Sequence, residues 1–217
     1  MIKSLILSGI SFFALSSCAQ KQSSTPTTKK ENIIMTENKN LDTATLGTGC
    51  FWCTEAVFQQ LKGVEKVTSG YSVGSEKNPT YEEVSDKKTG HAECLNIIFD
   101  KTIISFDELL EVFWQVHDPT TLNRQGADVG PQYRSVIFYH NEEQKAKSEK
   151  YKEELNKSGA FSNPVVTTIE KMDAFYAAEN YHQNYYNNNS NEGYCRMVIQ
   201  PKLDKFKKVF KDKLKSN

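Results

Sequence analysis

Strand and helix patterns alternate along this chain of 217 residues, and the alternation limits its fold more than any other feature. Strand patterns mark residues 43–48, 64–73, 92–99, 133–140 and 165–169. Helix patterns begin at residue 50 and cover residues 106–117, 141–158, 174–186 and 202–215. Because helices separate the strands, the sequence predicts a mixed α+β domain of about five strands with helices packed on the sheet.

Local signals place several ends of these elements. Ser105 and Glu108 resemble a capping box that starts the helix at residue 106. Gly159 is expected to end the charged helix before it. The polar stretches 74–90 and 120–131 are predicted to be loops.

The strand predicted at residues 92–99 carries an acidic residue in apolar company. Alternation places Glu93 on the same face as Leu95 and Ile97, and Cys94 on the opposite face. A lone strand carboxylate is usually solvated, but these neighbours favour a buried one. Cys94 is expected to be a buried small residue without a chemical role.

The first residues indicate export rather than a part of the fold. The apolar run 5–15 is too short to span a bilayer comfortably and follows a basic start at Lys3. It closes at Cys18 in a manner that resembles a bacterial lipoprotein signal, with cleavage after residue 17 and acylation of Cys18. An ordinary cleaved signal with a chance cysteine is the alternative.

The chain is therefore divided into three parts: a signal peptide at residues 1–17, a tether at 18–41 and one domain at 42–217. The tether is rich in polar residues and cannot bury enough apolar surface to fold, so it is expected to be flexible. We expect an exported protein that a lipid anchor holds at a membrane, facing the periplasm.

Charge and cysteine content narrow the function. The formal net charge is +0, so no general basic field would attract nucleic acid. Apart from Cys18 the cysteines are Cys50, Cys53, Cys94 and Cys195. They are too few to be the main source of stability for a domain of this size, which makes redox chemistry a serious alternative to structural disulfides.

Residues 49–55 place a thiol where it can react. Cys50 lies at the predicted start of a helix, whose dipole favours the thiolate by about 0.3–1 kcal/mol, which is less than one pKa unit. Another group must therefore help, in the resting protein or by activating the substrate. Phe51 and Trp52 are either core aromatics or the wall of a pocket for a small apolar group such as a thioether methyl.

The same run, Gly49-Cys50-Phe51-Trp52, resembles the signature of the A-type peptide methionine sulfoxide reductases. Further segments resemble that family in the family's order: residues 78–81 (Asn-Pro-Thr-Tyr), 89–93 (Thr-Gly-His-Ala-Glu), 128–135 (Asp-Val-Gly-Pro-Gln-Tyr-Arg-Ser) and 181–183 (Tyr-His-Gln). The resemblance covers residues from about 45 to 205.

The resemblance implies a two-layer α/β sandwich with a mixed sheet, similar to ferredoxin-like plaits. It also implies roles for particular residues: Cys50 as nucleophile, Phe51 and Trp52 as the methyl pocket, Glu93 as proton donor, Tyr81 and Tyr133 as further ligands of the sulfoxide oxygen, and Asp128 as a polar residue near the site. A thiolate attack on a sulfoxide needs such an acid, because the oxygen leaves only when protonated.

The implied reaction reduces the S epimer of methionine sulfoxide, free or in oxidised proteins. It passes through a sulfenic acid on Cys50 and an intramolecular disulfide, which a thioredoxin-like dithiol then reduces. No metal or other cofactor is expected, and neither is nucleic acid; the protein is expected to be a monomer.

The resolving cysteine is open between two residues. Cys195 matches a family position for a C-terminal resolving cysteine and lies in a polar stretch expected to be mobile, so it is preferred. Cys53 shares a helical face with Cys50, but a bridge between them is expected to distort the first turn. A relay through both cysteines is the third option.

Two other classes of function compete with the reductase. A thiol–disulfide exchange protein is disfavoured because Trp52 lies between Cys50 and Cys53, whereas thioredoxin-like proteins place tryptophan before the first cysteine. A metal- or ligand-binding lipoprotein is disfavoured because the sequence has no second paired motif of metal ligands.

Overall fold

The computed structural model describes residues 40–216. The predicted signal peptide at residues 1–17, the predicted acylation site Cys18 and nearly all of the predicted tether lie outside the described residues. Within the described range, no helix has the length and apolar character needed to cross a membrane.

Eight strands are present in the described residues: β1 (Leu41–Thr48), β2 (Val64–Ser72), β3 (Ala92–Asp100), β4 (Arg124–Gln125), β5 (Asp128–Val129), β6 (Ser135–Tyr139), β7 (Thr168–Lys171) and β8 (Phe175–Ala177). Six of them form one sheet in the order β7-β6-β1-β3-β2-β8, and β4 pairs with β5 separately. Only the β6–β7 pair of the large sheet is parallel. The sheet is therefore mixed, as the family resemblance implied.

Six α-helices surround this sheet in the described part of the chain: α1 (Phe51–Phe58), α2 (Tyr81–Ser85), α3 (Phe106–Val116), α4 (Glu142–Ser158), α5 (Tyr185–Asn188) and α6 (Gln200–Val209). A π-helical turn, Cys195–Ile199, leads directly into α6. The protein thus has the mixed helix-and-strand content that the sequence predicted.

The two faces of β3 pack into different parts of the core, as the alternation of its residues predicted. Leu95 and Ile97 are fully buried in the large core that also includes residues of α1 and α3. Cys94 points to the other face, where it is buried with Val136 and Phe138. Burial raises the pKa of the Cys94 thiol, which keeps it protonated and unreactive.

Two predicted helix signals are confirmed. Ser105 and Glu108 form a complete capping box at the start of α3. Gly159 ends α4 with φ of 69°, a left-handed conformation that glycine adopts without a side-chain clash. The predicted loop at residues 74–90, however, contains α2, which a second capping box between Thr80 and Glu83 stabilises.

The prediction of a helix at residues 174–186 is wrong. β8 occupies its first part because the edge of β2 offers unpaired backbone groups, and Gly70 pairs with Ala177 there. Asn184 then adopts φ of 54°, which interrupts any continuous helix before α5. Pairing with a sheet edge has overridden the local helical pattern.

The helix predicted at residues 202–215 is shorter than expected. α6 buries Leu203 and Phe206, but Val209, which the pattern placed on the same apolar face, is 56% exposed. The chain leaves the helix after Val209 and brings Leu214 back to pair with Leu61 by a single β-bridge. This packing fixes the C-terminal segment against the end of α1.

Candidate active site

A cavity of about 190 Å³ collects the residues that the sequence singled out for binding and catalysis. Its lining consists of Cys50, Phe51, Trp52, Tyr81, Glu93, Asp128, Tyr133 and Tyr194. They come from α1, α2, β3, β5 and the segments before β6 and α6. A larger groove of about 830 Å³ along α3 contains none of them, so size alone does not identify the site.

Cys50 is the N-cap residue of α1, as predicted. Its ψ of 120° is not helical, and its carbonyl oxygen accepts bonds from the amides of Cys53 at 3.2 Å and Thr54 at 3.4 Å. Gly49 makes the turn from β1 possible with φ of +95°, and a Cβ there would lie 2.6 Å from the Cβ of Gln125. The cysteine is thereby held at the helix N-terminus and is only 8% exposed.

Cys53 is the more acidic thiol of the cysteine pair. The hydrogen bond with Cys53, together with burial, raises the pKa of Cys50 well above its usual value. The same bond lowers the pKa of Cys53 to about 7, and the positive charge of Lys202 acts in the same direction. The helix terminus therefore does not make Cys50 the more acidic thiol, and Cys53 is placed to accept a proton from it.

Glu93 is buried beside Cys50 and has the character of an acid. It is 2% exposed, and its Oε2 accepts a hydrogen bond of 3.0 Å from the amide of Phe51. Burial raises its pKa to about 8, with the negative charges of Asp128 and Cys53 adding to the effect. At neutral pH most molecules therefore carry a protonated Glu93 that can donate to a substrate.

Tyr81 and Tyr133 line the same cavity and are both half-buried. Burial raises the pKa of each phenol, so both hydroxyls keep their protons and can donate hydrogen bonds. The backbone amide of Tyr81 is held by Glu179 Oε1 at 2.9 Å. The cavity thus combines three groups that can donate to one oxygen.

Phe51 and Trp52 supply the apolar side of the cavity. Phe51 is 1% exposed, whereas Trp52 is half-buried. The indole Nε1 of Trp52 donates to Nδ1 of His182 at 3.1 Å, and its ring stacks on Tyr185 with centroids 3.7 Å apart and planes at 7°. Both contacts fix the indole, which makes it a rigid wall.

Asp128 is joined to the site by Tyr194, a residue that the sequence reasoning did not select. The Tyr194 hydroxyl donates to Asp128 Oδ2 at 3.1 Å and lies 3.8 Å from the sulfur of Cys53. Its position directly before Cys195 was the available signal, because any segment that brings Cys195 to Cys50 also brings its neighbour.

Glu55 was also missed, although it belongs to the same run as Cys50. It is 1% exposed and accepts hydrogen bonds from the backbone amides of Asn184 at 2.8 Å and Tyr185 at 3.1 Å. Glu55 thereby holds the segment whose Tyr185 ring supports Trp52. Burial raises the pKa of this carboxyl, against the effect of the two amides.

The segment that carries Cys195 differs from the prediction. The sequence predicted a mobile polar stretch, but Cys195 opens the π-helical turn and is 0% exposed. It packs in one buried cluster with Cys50, Cys53 and Ile199. All three cysteines are free thiols in this state, so the resolving role of Cys195 or Cys53 stays a prediction.

The family model described as peptide methionine sulfoxide reductase matches residues 42–214. The chain belongs to this family. The match spans nearly all of the described residues, and it confirms the resemblance drawn from the spaced motifs.

Relatives agree with this assignment over nearly their full lengths. The reductase MsrA of Nitratiruptor sp. is 56% identical over 173 residues, which cover 80% of this chain and 98% of the relative. MsrA of Leptospira borgpetersenii is 54% identical over 170 residues, covering 78% and 95%. The protein is an enzyme that reduces methionine sulfoxide with a thiol reductant.

Solved structures of the family have the same fold. Mxr1 from Saccharomyces cerevisiae in its reduced form has a TM-score of 0.68 at 34% identity, covering 73% of this chain and 91% of that chain. Methionine sulfoxide reductase A of Corynebacterium diphtheriae has a TM-score of 0.66 at 32% identity, covering 74% and 80%.

The described part of this reductase contains no group of three or more His, Cys, Asp and Glu side chains placed to hold a metal ion. The chemistry available at the site is that of a thiol pair, a protonated carboxyl and tyrosine hydroxyls. Cys50 can attack an electrophilic sulfur while Glu93 protonates the oxygen on it.

Proposed function

We propose that this reductase acts on the S epimer of methionine sulfoxide, free or in oxidised proteins, with Cys50 as nucleophile and Glu93 as proton donor. One observation carries the assignment of roles: a buried carboxyl and an N-cap thiol line the same small aromatic cavity. The choice of the S epimer rests on membership of the A-type family.

The substrate would bind with its methyl group against Phe51 and Trp52. Its sulfoxide oxygen would then face Glu93, Tyr81 and Tyr133, whose hydrogens can stabilise the charge that develops there. A cavity of about 190 Å³ suits the end of a methionine sulfoxide side chain rather than a whole peptide. The backbone of a protein substrate would therefore remain outside.

In the first step the Cys50 sulfur attacks the sulfoxide sulfur as its proton passes to Cys53. Glu93 gives a proton to the sulfoxide oxygen. The attack forms a bond between the two sulfurs. This bond and the sulfur–oxygen bond of the substrate break as the hydroxyl passes to Cys50, so methionine is released and Cys50 becomes a sulfenic acid. Burial keeps Glu93 protonated at neutral pH, which makes this transfer possible.

The second step is a relay in which Cys53 condenses with the sulfenic acid of Cys50 and water leaves. Cys195 then attacks the Cys53 sulfur, which releases the Cys50 thiol and forms the Cys53–Cys195 disulfide. Cys53 contacts Cys50 directly, and the charge of Cys53 is felt at Cys195, which is consistent with this order. Cys50 lies at the N-cap, outside the helix proper, as the first cysteine of a helix-terminal Cys-X-X-Cys motif does. A thioredoxin-like dithiol reduces the final disulfide.

Trapping the disulfide after one equivalent of methionine S-sulfoxide tests the relay. Cys195→Ser is expected to accumulate the Cys50–Cys53 disulfide, and the wild type to end with Cys53–Cys195, as read by mass spectrometry of alkylated peptides. Cys53→Ser is expected to retain the sulfenic acid, which dimedone captures. The matched control Cys94→Ser should behave as the wild type, because Cys94 faces away from the site. Formation of Cys50–Cys195 in Cys53→Ser at the wild-type rate would contradict the relay.

We extend the same proposal to the fold, as a two-layer α/β sandwich with a ferredoxin-like plait. Its support is the order β6-β1-β3-β2 within the sheet, with antiparallel neighbours throughout. With α1 and α3 as the two crossover helices, this is the β-α-β-β-α-β connection of that fold.

The same proposal makes the enzyme a lipoprotein with a signal peptide at residues 1–17, a tether at 18–41 and the catalytic domain at 42–217. Its support is the basic start, the short apolar run and the cysteine that closes it. Acylation at Cys18 would hold the reductase at the membrane on the periplasmic side, where its reductant must also be exported.

Labelling with an alkyne fatty acid in a bacterial host tests this anchor. The full-length protein is expected to incorporate label and to fractionate with membranes, and Cys18→Ser is expected to lose both properties. Labelling fails if the segment is an ordinary cleaved signal. Cys94→Ser, a buried cysteine of the domain, serves as the matched control.

A further inference from the structure

We propose that Lys202 activates Cys53 for its attack on the sulfenic acid of Cys50. The inference rests on the proposed function and deepens its second step. It assigns a role to a lysine that no motif had singled out and that lies 149 positions from Cys53 in the chain.

Contact between the two side chains is direct. Lys202 Nζ donates toward the Cys53 sulfur at 3.7 Å. Lys202 lies in the first turn of α6 and is half-buried, whereas Cys53 is only 7% exposed. An ammonium group beside a buried sulfur is screened less by water than a surface pair, so its effect on that sulfur is stronger.

The fold of the segment before and within α6 brings Lys202 close to Cys53. The π-helical turn Cys195–Ile199 continues into α6, so the segment that buries Cys195 beside Cys53 also carries Lys202. Along this unit Cys195 and Lys202 both lie close to Cys53. One helical unit thus delivers both the terminal thiol of the relay and the positive charge.

Several groups face Cys53 from the elements around it: Cys50 at the N-cap of α1, Glu93 of β3, Asp128 of β5, Tyr194 and Cys195 before α6, and Lys202 of α6. Asp128 carries negative charge that raises the pKa of Cys53. The Tyr194 hydroxyl and the Lys202 ammonium lower it. Lys202 therefore offsets an acidic neighbour at this sulfur.

Lys202 matters most after the first step. In the resting enzyme the bond with the Cys50 thiol is the largest influence that lowers the pKa of Cys53. Oxidation of Cys50 removes that thiol, and Cys53 has by then accepted the proton of Cys50. The ammonium group of Lys202 remains in place and favours loss of this proton at the moment when a nucleophile is needed.

The step itself balances without another reactant. The Cys53 thiolate attacks the Cys50 sulfur, a sulfur–sulfur bond forms and the sulfur–oxygen bond of the sulfenic acid breaks. Hydroxide leaves and takes a proton from solution to become water. Cys53 is oxidised and Cys50 is reduced from the sulfenic to the disulfide level.

Titration of the Cys53 thiolate tests the interaction without turnover. In full-length protein carrying Cys50→Ser, thiolate absorbance or the rate of alkylation at residue 53 is followed against pH. Lys202→Met is expected to raise the titration midpoint by about 1–2 pH units, since a neighbouring charge at this distance has that effect. Lys202→Arg should keep a low midpoint, and the exposed Lys205→Met serves as the matched control. An unchanged midpoint in Lys202→Met would overturn the proposal.

Single-turnover kinetics test its part in the reaction. Release of methionine from one equivalent of the S-sulfoxide reports the first step, and loss of the dimedone-reactive sulfenic acid reports the second. Lys202→Met is expected to slow the second step about three- to tenfold at pH 6 but not at pH 9, because a thiolate of higher pKa is rarer yet more nucleophilic. The first step, in which Cys53 accepts the proton of Cys50, should also slow at pH 6 and be unchanged at pH 9.

The outcomes separate this inference from the proposed function. Equal slowing of both steps at every pH would indicate a structural defect and overturn the role of Lys202. Failure of the wild type to release methionine would instead contradict the proposed reaction, whatever Lys202 does. A second step that slows only at low pH, with rescue in Lys202→Arg, supports the activation of Cys53.

Discussion

Cys50→Ser is expected to lose at least about a thousandfold in methionine formation from the S-sulfoxide, because serine cannot take the oxygen from the substrate sulfur. Fold and binding should persist, since the side chain is nearly isosteric and the backbone of residue 50 caps α1 through its carbonyl. Production of methionine by chromatography, with a dithiol present in excess, measures the effect.

Cys94→Ala provides the matched control for this loss. Cys94 is buried, as Cys50 is, but it lies on the opposite face of the sheet, with Val136 and Phe138. Its replacement should cost some stability through the lost packing and leave turnover within about twofold. Full activity in Cys50→Ser, or equal loss in Cys94→Ala, would contradict the assigned nucleophile.

Sequence motifs predicted the members of the site better than their electrostatics. Cys50, Phe51 and Trp52 are contiguous, and the alternation along its strand shows which face carries Glu93. Together with the family resemblance, these patterns were enough to assign the four residues to one site. The sequence did not show which of the two cysteines is the more acidic. A helix terminus favours a thiolate at Cys50, yet the contact with Cys53 reverses that preference.

What the sequence missed depends on contacts between distant segments. Tyr194 enters the site because the π-helical turn places it against Asp128, 66 positions away in the chain. Glu55 binds the backbone amides of Asn184 and Tyr185. Every residue except proline has such an amide, so the sequence pattern does not show which ones a carboxylate will bind. Such partners are chosen by tertiary packing, which one sequence does not reveal.

The same reason explains the errors in secondary structure. The stretch 174–186 has a helical pattern, but the open edge of β2 captured its first residues as β8. The helix α2, by contrast, had a local signal in Thr80 and Glu83 and was predictable from it. Local caps are encoded locally, whereas the pairing of a strand with a sheet edge is a property of the assembled sheet.

Glu93→Gln is expected to lower kcat/KM about a hundred- to ten-thousandfold, the range typical of removing a positioned general acid. Glutamine keeps the size of the side chain and can still accept the hydrogen bond from the Phe51 amide, but it cannot give a proton to the sulfoxide. The pH profile of kcat/KM for the wild type should be bell-shaped. It should rise through about pH 7 as the cysteine pair ionises and fall above about pH 8 as Glu93 ionises. The variant should lose the alkaline limb.

Stability supplies an independent check with a defined sign. The folded-state pKa of Glu93, about 8, is above its unfolded value, so the folded protein binds the proton more tightly. The stability associated with this group is fully present below the unfolded pKa and is lost as pH rises through about 8. Glu93→Gln cannot ionise, so its urea midpoint should exceed that of the wild type at pH 9 and not at pH 5. An alkaline limb that persists in Glu93→Gln would assign the proton donor to another group. A urea midpoint for Glu93→Gln below that of the wild type at pH 9 would show that burial does not raise the pKa of Glu93.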